Sequence, residues 1–206
     1  LSSAWAQEAE YVGSKACGQC HTEATDNWAH TIHGQQFLHV PSTPEQARGC
    51  EACHGPGSSH IANPIDKQTI LRFSATSVQP AQEQNAQCMN CHQGGQRIHW
   101  LSSAHETHDV ACSDCHNPMA MLSQGSLLSN HTVNETCFSC HQQQRAEFNR
   151  RSHMPLPEGK MSCSDCHNPH GGVTDPLLKT VRLNETCFEC HAEKRGPFLW
   201  EHAPVR

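Results

Sequence analysis

The stretch Cys112-Ser113-Asp114-Cys115-His116-Asn117-Pro118 returns letter for letter as Cys163-Ser164-Asp165-Cys166-His167-Asn168-Pro169. A second block, Asn134-Glu135-Thr136-Cys137-Phe138, returns as Asn184-Glu185-Thr186-Cys187-Phe188. Each block carries or opens a pair of cysteines three residues apart that is followed at once by histidine. Working outward from them, the same pattern occurs at Cys17, Cys20 and His21, at Cys50, Cys53 and His54, and at Cys88, Cys91 and His92. It recurs at Cys112, Cys115 and His116, at Cys137, Cys140 and His141, at Cys163, Cys166 and His167, and at Cys187, Cys190 and His191. These motifs use all 14 cysteines of the chain.

The spacing has a mechanical reason. Residues three apart on a helical turn share a face, so both thiols of a motif reach the two vinyl groups of one porphyrin, and the next histidine offers its imidazole to the iron. Two thioether bonds keep a haem that so small a binding surface would otherwise lose. A lone C-x-x-C suits a zinc half-site or a thioredoxin-like pair. Neither requires the trailing histidine every time, so the expected cofactors are seven covalently bound c-type haems.

Composition points the same way. In 206 residues the hydrophobic fraction is 35% and the aromatic fraction 5%, too little for an ordinary core. A disulfide scaffold would explain the cysteines but has no use for 18 histidines, whereas metal and haem sites do. The net charge of -6 argues against a nucleic-acid partner, which needs excess Lys and Arg. No run approaches the roughly 18 apolar residues of a membrane helix. At the start, Ala4-Trp5-Ala6 has the small-x-small form of a secretory cleavage site, so residues 1–6 read as a signal-peptide remnant of an exported protein.

From the third motif onward the first cysteines lie 24, 25, 26 and 24 residues apart, after intervals of 33 and 38. With the duplicated blocks offset by 51 and 50 residues, two haems form the repeating unit. Repeats of this kind stack along one direction. The expected fold is a multihaem cytochrome c, mostly irregular, with short α-helices around the motifs, little or no β structure and an elongated chain of haems. Residues 7–206 read as a single domain with a two-haem front part, 7–60, a connecting segment, 61–87, and a five-haem rear part, 88–206. Asn85, Asn134 and Asn184 each stand three residues before a motif cysteine, where they are expected to cap their own haem-bearing helix. Arg145 and Arg195 fall near the far end of such a helix, to complement its dipole, pair with a propionate or simply face solvent.

Eleven histidines lie outside the motifs, against seven irons that need a distal ligand if all are six-coordinate. His33, His105 and His153 share a signature, an aromatic five residues earlier (Trp28, Trp100, Phe148) and a motif a dozen or so residues back, and His202 after Phe198 is a shortened copy. His60 and His170 are the next candidates. His170 stands too close to His167 to reach the far side of the same haem and is expected to serve a neighbour. Its counterpart in the earlier repeat is Met119, also a competent axial ligand, while His131 occurs only in that earlier copy. His131 is the preferred seventh ligand; Met119, His30, His39 and His108 remain open alternatives, and His99 reads as a surface residue or propionate partner.

Longer stretches carry a resemblance: GCEACHGPGSSH at Gly49 to His60, WLSSAH at Trp100 to His105, GKMSCSDCHNPHG at Gly159 to Gly171, and CHAEKRGPFLWEHAPVR at Cys190 to Arg206. In these the chain resembles the periplasmic decahaem cytochromes that pair with outer-membrane porins in extracellular respiration of metals or dimethyl sulfoxide. The resemblance implies an electron-transfer wire between periplasmic donors and a cell-surface cytochrome or other acceptor, sited in the periplasm, within a porin, or outside the cell. It carries ligation over to the motif histidines and to His33, His60, His105, His153, His170 and His202. The family has ten motifs and this chain seven, which fits both a naturally shorter protein and a piece of a longer one.

Two rival functions are open from sequence. A multihaem reductase of nitrogen or sulfur oxyanions needs an iron with an exchangeable position, yet all seven motifs end in histidine and Tyr11 is the only tyrosine. A subunit of a polymeric extracellular cytochrome filament would use a surplus histidine to ligate a haem of the next copy. The residues favour an electron carrier over both, with other redox proteins as partners.

Overall fold

A short helix carries at least one cysteine of every motif, and others, such as Thr22–Ala29 and Ile32–His39, lie between motifs. The computed structural model describes residues 9–74 and 76–197. Motif-bearing helices span Ser14–Gly18, Glu51–His54, Ala81–Met89, Cys112–Cys115, Val133–Phe138, Cys163–Cys166 and Leu183–Phe188. In all seven motifs the histidine N–H donates to the carbonyl of the first cysteine, at 2.9 to 3.1 Å. That one bond closes the helical turn which sets both thiols on one side. Among the described residues there is no strand, only isolated bridges between His116 and Leu128 and between His167 and Leu178. The expectation of short helices in mostly irregular chain is borne out.

The polypeptide supplies little core of its own. Among the described residues the buried apolar side chains are Trp28, Trp100, Ala111, Leu127 and Leu156, while Ile32, Ile65, Leu101 and Val181 are largely exposed. The described residues divide into two compact units, one from residues 9–92 and 109–132, the other from residues 93–108 and 133–197. Motifs one to four fall in the first and motifs five to seven in the second. The segment that follows the third motif thus packs with the second unit, and Gly171 is the residue that admits it. With φ at +111°, Gly171 lies so close to His99 that a Cβ would stand 2.1 Å from the His99 carbonyl oxygen.

The duplicated sequence is a duplicated structure. Asn117 N–H donates to Leu127 O at 2.6 Å and Asn168 N–H to Leu177 O at 2.7 Å; Ser129 N–H donates to Cys115 O and Lys179 N–H to Cys166 O. Leu127 and Leu177 both take positive φ, 47° and 56°. Asp114 accepts from Ala111 N–H and Asp165 from Ser162 N–H, each closing the first turn of its motif helix.

The asparagines three residues before a motif do not cap their own helices, which is a correction to the sequence reading. Asn85 lies inside Ala81–Met89 and Asn134 inside Val133–Phe138. Their carboxamide oxygens accept instead from the first cysteine of the following motif, Cys112 N–H at 2.7 Å and Cys163 N–H at 2.9 Å. Ser14, in the same position before the first motif, accepts from Cys50 N–H at 3.1 Å. Odd-numbered motifs thereby hold even-numbered ones by the backbone of an attachment cysteine. The Ser14 contact needs Gly49, whose φ is +59° and whose Cβ, if present, would stand 2.1 Å from the serine oxygen. Glu51, 3% exposed, ties the same pair a second time by accepting from the N–H groups of Val12, Gly13 and Gly57.

Candidate haem sites

The backbone staples bring sulfur to sulfur. The Cys112 thiol beside Cys88, with burial adding to it, pushes the Cys88 thiol up, and the same contact holds Cys112 down. Cys163 is held down to about 7, first by its hydrogen bond with the Cys137 thiol. Cys17 is raised by burial, then by Cys50. The first cysteines of motifs one and two, three and four, and five and six are therefore neighbours in three pairs. Between pairs the second cysteines take over: burial, with Cys88 and Cys91 contributing, pushes Cys53 up to about 11, and burial followed by Asp165, Cys187 and Cys190 raises Cys166. A thiol alkylated by a vinyl carbon no longer titrates, but the adjacency stays.

None of the fourteen cysteines forms a disulfide. Among the described residues no three or more His, Cys, Asp and Glu side chains converge on one point, so the thiols are not gathered into the tetrads of structural zinc.

Imidazoles meet in pairs at a telling distance. Ring centroids of His21 and His60 are 6.3 Å apart, those of His33 and His92 5.8 Å, and those of His105 and His141 6.1 Å. A metal bound at about 2 Å by one nitrogen of each ring places two imidazole centroids roughly 6 Å apart. Each pair joins a motif histidine to one of the sequence-nominated distal histidines. His33, His60 and His105 are thus brought to the first, third and fifth motifs in the order His60, His33, His105.

The surroundings suit ligation. Burial, then the neighbouring His92, holds the His33 imidazole below its ordinary range, and so neutral and able to donate a lone pair. The buried Nδ1 atoms of His33 and His60 have no hydrogen-bond partner, which costs about 1–3 kcal/mol at a purely structural histidine. His105 Nδ1 lies 2.7 Å from Pro169 O, His54 Nδ1 2.8 Å from Leu71 O, His116 Nδ1 2.7 Å from Ser126 O and His167 Nδ1 2.6 Å from Pro176 O. A carbonyl at Nδ1 selects the tautomer whose Nε2 carries the free lone pair and fixes the ring plane. Burial also lowers His54, against the bond to Leu71 and with His21 and His60 adding to it. These residues fit covalently bound c-type haem.

The other candidates stand as follows. His170 lies against Trp100, ring centroids 6.4 Å apart. His131 Nδ1 is 2.9 Å from Leu122 O, and Met119 N–H donates to the Asn117 side chain. His30 and His108 tie Nδ1 to Asp26 O and Ala104 O. His153 has Nδ1 on Arg150 O and Nε2 3.0 Å from Glu158. His202 and the signal-like residues 1–6 lie outside the described residues. Arg195 closes the 3-10 turn Ala192–Lys194 as its C-cap, as expected of a residue at a helix end, and its side chain pairs with Glu185 at 2.6 Å and sits over the Phe188 ring. Sequence reasoning missed Ser14 and Glu51 as staples; the only signal for Ser14 was its place three residues before Cys17.

Sequence comparison relates the chain to known proteins. The family described as the doubled CXXCH motif matches residues 105–146 and again 153–196, and the family described as cytochrome c-type protein NrfB-like matches residues 50–124. A multiheme cytochrome MtrA from Shewanella baltica is 43% identical over 195 residues, which cover 94% of this chain and 57% of that protein. A C-type polyheme cytochrome OmcB from Geobacter sulfurreducens is 26% identical over 185 residues, 79% of this chain and 21% of its own length. The chain thus spans little more than half of the first relative and about a fifth of the second.

Proposed function

We infer from one premise, that the chain belongs to the multihaem c-type cytochromes, that it is an electron carrier with seven covalent haems and not an enzyme. Bound at each motif, haem supplies a one-electron ferric/ferrous couple. The observation that carries the reading is the pairing of motifs: Cys17 beside Cys50, Cys88 beside Cys112 and Cys137 beside Cys163. Porphyrins attached to sulfurs in contact would have their edges close together, and electron tunnelling falls steeply with edge separation. In the three pairs observed, His21 with His60, His33 with His92 and His105 with His141, both rings would hold one iron, which suits transfer without substrate binding. Residues 7–206 then act as one multihaem domain, exported, with His21, His54, His92, His116, His141, His167 and His191 as proximal ligands.

The pathway follows from the resemblance in sequence: electrons pass from periplasmic donors toward an outer-membrane porin conduit and an acceptor at the cell surface. Among the described residues no helix is long and apolar enough to cross a membrane, so such a passage would rely on a partner. Intact mass of the purified red protein, expected at seven haem additions, combined with protein-film voltammetry tests the function. A reversible response spread over a broad negative range is expected. Absence of such a response, or free titratable thiols, overturns the reading.

A further inference from the structure

We propose that His153 is the distal ligand of the haem attached at Cys187, Cys190 and His191. The inference rests on the reading of the motifs as haem sites and adds to it the identity of one iron's second ligand.

Three histidines carry one signature. His33 follows His21 by 12 residues, His105 follows His92 by 13 and His153 follows His141 by 12, each with an aromatic five positions earlier. For the first two the structure gives the partner, and the rule is the same. His33, after the first motif, meets His92 of the third at 5.8 Å. His105, after the third, meets His141 of the fifth at 6.1 Å. The register therefore skips one motif and lands on the next odd one. Applied to His153, after the fifth motif, it lands on His191 of the seventh.

The doubled family match gives the same answer by a separate route. Its two copies begin on the signature histidines themselves, residues 105–146 and 153–196. In the first copy the opening histidine is paired with the motif that closes the copy. His153 and His191 hold the equivalent places in the second, and both belong to the same compact unit.

The local chemistry permits the step. His153 Nδ1 is already tied to Arg150 O, so Nε2 is the nitrogen available to a metal. That Nε2 rests against Glu158, and the Glu158 carboxylate is exposed. Surface ion pairs of this kind hold only weakly, so releasing it opposes ligation little. His191 is likewise exposed, with a carboxylate of Glu193 3.6 Å from its Nδ1.

Spin state tests the assignment without reference to electron-transfer rate. In His153→Ala, electron paramagnetic resonance of the oxidised protein should show one high-spin ferric haem in seven, with the haem number by mass unchanged. In a chain that lacks the seventh attachment, Cys187→Ala with Cys190→Ala, the same substitution should add no further high-spin signal. His153→Met, a milder change, should convert one haem to histidine–methionine ligation in the full chain and none in the chain without the seventh haem. A high-spin or methionine-ligated haem that persists after the seventh haem is removed overturns the assignment, as does no change in the full chain. Neither result would alter the seven haems of the unsubstituted chain or the electron-carrier reading, whereas a mass below seven haems in the unsubstituted chain would count against that reading instead.

Discussion

The Asn134 carboxamide oxygen accepts the Cys163 N–H at 2.9 Å, so the fifth motif grips the sixth by the backbone of its own attachment residue. Its amide nitrogen donates at the same time to Leu156 O and Met161 O. Asn85 does the same between the third and fourth motifs, reaching Cys112 N–H and Val110 O. The third and fourth motifs, and the fifth and sixth, are therefore each tied together by one asparagine side chain.

Asn134→Ala should destabilise the holoprotein by about 1–3 kcal/mol, because it leaves a partly buried N–H and two carbonyls without their partner. In a chain of this size that lowers the thermal midpoint by on the order of 2–10 °C. Asn134→Asp keeps the acceptor for Cys163 and should lose less. Calorimetry of the two variants side by side checks the order; equal losses would show that the Cys163 contact contributes nothing.

Removing one distal imidazole should alter one iron only. His60→Ala, His33→Ala and His105→Ala are each expected to yield one high-spin haem, at the first, third and fifth motif respectively, while all thioether bonds persist. Absorption spectra and intact mass report the two halves of this expectation. Substitution by methionine instead should raise the potential of the affected haem, which voltammetry resolves.

Ring orientation separates these sites further. The imidazole planes of His21 and His60 are 20° apart, those of His33 and His92 85°, and those of His105 and His141 68°. Near-perpendicular axial rings leave the ferric d orbitals almost degenerate and give a large principal g value; near-parallel rings give a rhombic spectrum. Loss of His33 should therefore delete a large-g signal and loss of His60 a rhombic one. The reverse assignment would contradict the ring geometry.

Gly171→Ala should disturb the fifth motif through His105. The added Cβ would meet the His99 carbonyl at 2.1 Å at a φ of +111°, so the segment 93–108 must shift. His105 is part of that segment and has its Nδ1 on Pro169 O. A rise in high-spin content at the fifth motif, with the midpoint lowered, is the expected outcome; Gly172→Ala, where the nearest atom would be 3.2 Å away, serves as the milder control.

The haem motifs, the two-haem repeat and the signature histidines were legible because they are local: three- to five-residue patterns with a chemical requirement. The staples were not. Asn85 and Asn134 look like caps in sequence since they precede a cysteine by three, but their helices run through them and the side chains reach a motif 27 and 29 residues away. Ser14 makes the same contact over 36 residues with a different side chain, so no repeat of letters announces it. Glu51 is a charged residue inside an attachment motif, and its burial comes from three backbone N–H groups that only the folded chain assembles. Which histidines pair was equally hidden, because His33 with His92 and His105 with His141 skip a motif and depend on how the chain doubles back.

That alternation has a consequence for maturation. Translation proceeds from the N terminus, so His33 is made before the cysteines of the third motif and His105 before those of the fifth. Were haem held at these motifs, the third and fifth centres would each draw their second ligand from a stretch of chain older than their own cysteines. The first centre is the exception, since His60 is synthesised 39 residues after His21. Of these three centres, it alone would depend on a stretch of chain younger than its own cysteines.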